Sequence, residues 1–203
     1  MKNNQSGRSM VEMLGVLAII GVLSAGGLAG YSKAMFKHKL NSTMDQLTML
    51  VTNIRTMYGT QDNYDGLDVE SAYGLGIIAA SAINDAHSEM INPFKGNVEL
   101  APVAARTGIE KSGFTVAYKG LPKEACIALA TSDWGTGAGS GYIGVQVGAD
   151  PANNAEFTAT KETVTTVGAT STSGDYSEGI PMTVADAIGG CVAASNTVKL
   201  YFY

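Results

Sequence analysis

The chain has 203 residues, 45% of them hydrophobic and only 15% charged, against a usual charged share near ~25%. That length carries one ordinary domain, or a small domain on an extended element, and the apolar content excludes disorder over most of it. A formal net charge of -5 argues against nucleic acid as an obligatory partner, because phosphate backbones reward basic surfaces.

Residues 13–32, MLGVLAIIGVLSAGGLAGYS, contain no charge and no proline, and a helix needs about 20 such residues to cross a bilayer. A secretory signal peptide is the plain alternative. Its apolar core is shorter, however, and is followed by a small-x-small cut site and non-helical sequence. Here a helical pattern continues. Leu40, Met44, Leu47, Val51, Ile54 and Tyr58 recur at alternating steps of four and three, with Asn41, Asp45, Thr48, Thr52 and Arg55 on the intervening, wet face. A single helix from about residue 9 to Tyr58, stopped at Gly59, would be about 75 Å long. Its first half belongs in lipid and its second half on the body. Gly26, Gly27 and Gly30 lie between the halves, each costing up to ~1 kcal/mol of helix propensity, so this stretch is expected to bend or melt.

Glu12 stands at the edge of the apolar run. A carboxylate there costs less than the roughly 3 kcal/mol charged at mid-membrane, and is retained either by snorkelling to headgroups or for a partner. Residues 1–59 hold six Lys/Arg and two acids, a net +4, and residues 60–203 hold seven and sixteen, a net -9. A basic stem and an acidic body permit self-association. Lys2 and Arg8 precede the span while Lys33, Lys37 and Lys39 follow it. Counted alone, these favour a cytoplasmic body.

The body reads as mixed α and β. Residues 121–132, with Pro122 near the start, and residues 183–194, beginning T-V-A-D, read as helices that carry Cys126 and Cys191 respectively. Residues 114–118, 142–147 and 198–202 alternate at period two and read as strands of an antiparallel sheet packed on the helix stripe. Residues 135–141 and 152–173 read as surface loops, the second with a threonine-rich edge strand. The two cysteines are an even pair. In an exported body they suggest a disulfide stabilising by roughly 4 kcal/mol, and in a cytosolic one two buried thiols.

Residues 74–79 satisfy the dinucleotide pattern G-x-G-x-x-A, but no strand precedes them, and they read as part of a Gly/Ala-rich helical stretch. Residues 137–141 lack the lysine of a phosphate loop. Asp62, Asp65, Asp68 and Glu70 are rich in oxygen, but Tyr64 occupies a ligand position and no distal glutamate follows, so a solvated acidic loop is expected. His38 and His87 have no nucleophile or metal ligand arranged around them in sequence. No catalytic residue, metal or cofactor is assigned.

Gly7, then Arg8, Ser9, Met10, Val11 and Glu12, then the apolar run with Gly21, resembles the N-terminus of a type IV prepilin. Residues 64–68 (YDGLD), 91–96 (INPFKG) and 124–131 (EACIALAT), with a second cysteine shortly before a C-terminal strand, resemble type IVb pilins, particularly bundle-forming and conjugative thin pilins. The resemblance implies an α+β pilin fold with a long N-terminal helix, a sheet on its C-terminal half and a disulfide between Cys126 and Cys191. It divides the chain into a leader (1–7), a membrane and fibre-core half helix (8–32), an amphipathic half helix (33–59) and a globular head (60–203).

It further implies that a prepilin peptidase cuts between Gly7 and Arg8, placing Glu12 fifth in the mature chain. Arg8 stands where the family mostly has an apolar, N-methylated residue. Glu12 would pair with a neighbour's new α-amino group, two charges each costly alone becoming tolerable together. Partners would be copies of the chain itself, the inner membrane before assembly and the pilus machinery, with the body outside and the product an extracellular fibre serving adhesion or conjugation. Minor pilins and secretion pseudopilins share these motifs. An uncleaved, signal-anchored periplasmic binding domain and an enzyme are the readings from other classes.

Overall fold

The computed structural model describes residues 6–105, 110–135, 141–148, 175–178 and 181–203. The chain forms two compact units, Met1–Asn41 and Ser42–Tyr203. The first unit holds the greater part of α1 (Ser6–Tyr58), whose helical assignment is unbroken. Residues 26–30 are helical, so the expected melting does not occur. Propensity is a weak prior, and the helix formers around these glycines, Ala25, Leu28 and Ala29, help to keep the ladder intact.

In the second unit α1 has one buried face. Leu47 and Ile54 are fully buried, and Leu50, Val51 and Tyr58 nearly so, as the alternating stripe predicts. One correction concerns Arg55, expected on the wet face. It is half-buried, with Nε donating to the Tyr203 carbonyl at 3.1 Å and its guanidinium 5.4 Å from the centre of the Phe202 ring. Its length carries it from the flank of the stripe to the last strand.

After α1 come α2 (Val69–Gly74) and a single 3₁₀ turn (Ala80–Ala82), then β1 (Met90–Ile91), β2 (Asn97–Val103), β3 (Gly113–Leu121), α3 (Lys123–Thr131), β4 (Tyr142–Gly148), β5 (Asp175–Glu178), α4 (Val184–Gly190) and β6 (Asn196–Phe202). The six strands order as β1-β2-β3-β6-β4-β5, every pair antiparallel. The last strand therefore enters the middle of the sheet. Register places Val98, Leu100, Val116, Tyr118, Val145, Val147, Val198 and Leu200 on one face, with Phe114 and Phe202, and all ten are buried. That face meets α1 where Phe202 lies under Arg55, and α4 where Gly190 lies over Val147. The Tyr58, Tyr64, Phe114 and Phe202 rings follow one another at centroid distances of 5.5, 4.8 and 5.4 Å, tying the end of α1 to the sheet centre.

The three expected strands are present within β3, β4 and β6. The helix expected over 121–132 is α3, shortened because Leu121 completes β3 and Pro122 is the N-cap. The helix expected over 183–194 is α4, which ends at Gly190 with Cys191 as C-cap. The helical reading of 74–79 is corrected: α2 stops at Gly74 and Gly76 turns the chain at φ +73. Residues 152–173 and 136–140 lie outside the described residues.

The β1–β2 connection is built by INPFKG. The Asn92 side chain accepts from the Phe94 and Gly96 amides at 2.8 and 3.2 Å and donates to the Lys119 carbonyl at 2.8 Å. One buried amide thus closes the turn and fastens it to β3. Gly96 is required there, because a Cβ would lie 1.9 Å from the Lys119 oxygen.

Candidate functional site

Among the described residues, chemistry-bearing side chains do not converge on one site. Among the described residues no group of three or more His, Cys, Asp or Glu could hold a metal ion. Two of the four carboxylates between 62 and 70 are committed elsewhere. Asp65 pairs with Lys111, whose ammonium holds the carboxyl below its usual range by hydrogen bond and charge. Asp68 caps α2, accepting the Ser71 amide at 2.7 Å, and these amide and hydroxyl bonds likewise lower it. His87 stacks on Tyr73 with centroids 4.3 Å apart, and residues 74–79 form a turn rather than a phosphate cradle.

What the structure presents instead is surface. From Met10 to Tyr31 every large apolar side chain of α1 is exposed, between 51% for Ile20 and 75% for Val22. The pattern dictates this: apolar residues occupy all sides of the helix, so no single neighbouring surface could cover them. Gly15, Gly21, Gly26, Gly27 and Gly30 add open space, since a Cβ on any of them would meet nothing within 4 Å. The helix is long and apolar enough to cross a membrane.

Glu12 is exposed within this surface, flanked by Val11 and Met13. Two ion pairs occur among the described residues, Lys111 with Asp65 and Lys119 with Glu99, and Glu12 is in neither. Gly7 and Arg8 fall within the span of α1, and residues 1–5 lie outside the described residues. Among the described residues, then, the carboxylate has no counter-charge on its apolar helix, an arrangement that is costly in a dry environment until a cation arrives.

The cysteines are joined. Cys126 of α3 and Cys191 at the end of α4 form a disulfide with Cα atoms 6.0 Å apart, both fully buried. The Cys191 amide donates to the Ala187 carbonyl at 2.9 Å and closes α4, while Met182 N–H, just before α4, donates to Ala130 O of α3 at 3.1 Å, so one backbone bond already ties α3 to the segment that leads into α4. Val184 and Ile188 of α4, and Val192 just past it, are 59%, 47% and 70% exposed, a second apolar surface on the head. Sequence reasoning missed the Arg55 contact with Tyr203, which lies 148 positions away. Only the spacing N-P-F-x-G signalled the Asn92 turn.

A family model described as PilS N terminal matches residues 37–197. Two proteins, from Escherichia coli O111:H- and from E. coli O127:H6 (strain E2348/69 / EPEC), each named major structural subunit of bundle-forming pilus, are 26% identical over 202 residues. The match covers all of this chain and 95% of each of theirs. Among solved structures, the type IV b pilin from Salmonella typhi superposes with a TM-score of 0.52 at 17% identity, covering 79% of this chain and 97% of that one. TcpA, a type IV pilin from Vibrio cholerae El Tor, does so with 0.52 at 16% identity, covering 82% and 99%. The long N-terminal helix, the antiparallel sheet and the disulfide are thus elements of a type IV pilin fold.

Proposed function

The chain belongs to the PilS N terminal family, and on that premise we propose that it is the structural subunit of a type IV pilus filament, held first in the inner membrane and then in an extracellular fibre. The observation that carries this reading is the exposed apolar surface of α1 from Met10 to Tyr31, with Glu12 on it and in neither ion pair among the described residues. Such a surface cannot stay in water. A bilayer covers it in the precursor, and identical helices of neighbouring subunits cover it in the fibre. A contact that joins different patches on successive copies propagates into an open filament by symmetry alone.

In this reading a prepilin peptidase cuts after Gly7, so that Arg8 supplies a new α-amino group. Glu12, fifth in the mature chain, accepts that amine from the next subunit. The pair forms where water is excluded, which makes loss of either partner expensive. The pilus assembly machinery lifts each subunit from the membrane, and the disulfide-locked head faces outward.

The test is the mass and N-terminal sequence of the protein recovered from sheared surface fibres, alongside a Glu12→Ala variant. A chain beginning at Arg8 and abundant in fibres, with fibres lost in the variant, is the expected result. Abundance separates a major subunit from a minor one. An intact precursor confined to the membrane, indifferent to the variant, overturns the proposal.

A further inference from the structure

Ile19, Leu23, Gly26, Gly30, Lys33 and Lys37 recur along α1 at alternating steps of four and three, so they form one stripe on the first half of the helix. Its three parts differ. Ile19 and Leu23 are apolar and exposed. Gly26 and Gly30 leave open space, since a Cβ on either would meet nothing within 4 Å. Lys33 and Lys37 are exposed ammonium groups that belong to neither ion pair among the described residues. No carboxylate occurs between Glu12 and Asp45, so neither lysine has an acid at the spacings where helical side chains meet, and each faces the other's like charge.

The helix also fixes the depth at which an anion would answer them. Residues 13–32 carry no charge and as a helix span about 30 Å, the thickness of bilayer hydrocarbon, so Lys33 follows at once in the headgroup layer. Helical side chains lean toward the N-terminus, which from Lys33 and Lys37 is back toward the bilayer and the gap at Gly30. With the head exported, both lysines stand on the side that the positive-inside bias disfavours. The order apolar, open, cationic along one stripe is the complement of an acyl chain, a glycerol and a phosphodiester.

Resting on the membrane stage of the function proposed above, we infer that this stripe binds one anionic phospholipid, its phosphodiester beside Lys33 and Lys37, its glycerol in the gap at Gly26 and Gly30, and an acyl chain along Leu23 and Ile19. A zwitterionic lipid brings an ammonium of its own to the two lysines and is the poorer ligand. The bound lipid holds Lys33 at headgroup depth until the subunit leaves the membrane.

The test reconstitutes the full-length chain in vesicles of equal parts phosphatidylglycerol and phosphatidylcholine, extracts it in mild detergent and reads the retained lipid by native mass spectrometry. The wild type is expected to retain phosphatidylglycerol over phosphatidylcholine by about ten-fold or more, and K33Q/K37Q to retain the two alike. G30L keeps both charges and fills the gap, and should lower the preference several-fold. K95Q/K123Q, which removes two exposed lysines of the head, should leave it unchanged. Equal retention by the wild type, a preference that survives K33Q/K37Q, or one lost as fully in K95Q/K123Q would overturn the site. A wild-type preference in G30L would reduce the contact to surface charge and overturn it as well. A wild-type chain that enters neither lipid would defeat the membrane stage and the site together, whereas insertion without preference defeats the site alone.

Discussion

The two halves of α1 are both rich in apolar residues and are buried in opposite ways. Leu14, Leu17, Ile20 and Leu23 are at least half exposed, whereas Leu47, Leu50, Val51 and Ile54 are at most 8% exposed. Helix propensity does not separate them. Periodicity does: the first half is apolar on every side, and the second confines its apolar residues to one stripe that a single sheet face can cover. A helix can thus carry two instructions, one to fold with its own chain and one to remain unsatisfied until something else covers it.

A charge placed in each half should give opposite readouts, and this is the largest effect expected. Ile54→Asp buries a carboxylate at a fully buried position, costing about 5 kcal/mol, enough to unfold most domains. Thermal melts of full-length protein in detergent, followed by near-ultraviolet dichroism, should lose the cooperative head transition. Ile20→Asp should leave that transition within about 1 °C of the wild type while abolishing fibres. If both variants melted alike, the division of labour within α1 would be wrong.

The crosslink comes next. Cys126→Ser with Cys191→Ser opens a loop whose ends lie 65 positions apart, and should lower head stability by about 4 kcal/mol in the chain-entropy account. Urea titration in detergent measures the shift. The helical dichroism from the first half of α1 should persist beyond the head's new midpoint, since none of its cohesion comes from the crosslink. Asn92→Ala removes three hydrogen bonds from a residue only 2% exposed. It should cost about 2 kcal/mol, read in the same titration, again in the head alone.

How much of this was readable depended on whether partners were near in sequence. The α1 stripe, the core of β3, β4 and β6, and the α3 start at Pro122 follow from local periodicity and backbone rules. β2 was hidden by Pro102. Its alternation puts Val98 and Leu100 inside and Glu99 outside, yet proline speaks against a paired strand. The sheet admits it because β1 pairs only with residues 97 and 98, so β2 is an edge by the time it reaches Pro102 and the absent N–H is owed to no neighbour. Arg55 was misread because its partners lie on the final strand, beyond any local pattern. Of the candidate positions, Glu12 stood out through the residues around it, and the structure adds that it is exposed and outside both ion pairs among the described residues. The Cys126–Cys191 bond was anticipated as an even pair. The Asn92 turn was visible only as a motif until the Lys119 carbonyl supplied its reason.

The smallest effect sharpens the comparison by isolating the acidic connector between α1 and the sheet. Asp68 accepts the Ser71 amide while the Ser71 hydroxyl donates to its carboxylate at 2.8 Å, so its pKa is depressed in the folded state. A depressed carboxylate contributes stability that is present above its unfolded pKa near ~3.9 and is lost as pH falls through the lower folded value. Asp68→Ala should therefore cost the head about 1 kcal/mol at neutral pH, and the gap between variant and wild type in urea should narrow below about pH 4 as the wild-type cap protonates. Asn at the same position keeps an acceptor oxygen, so Asp68→Asn should lose less at neutral pH and show a flatter acid limb. A constant gap across that range would mean that Asp68 acts through packing rather than through its charge.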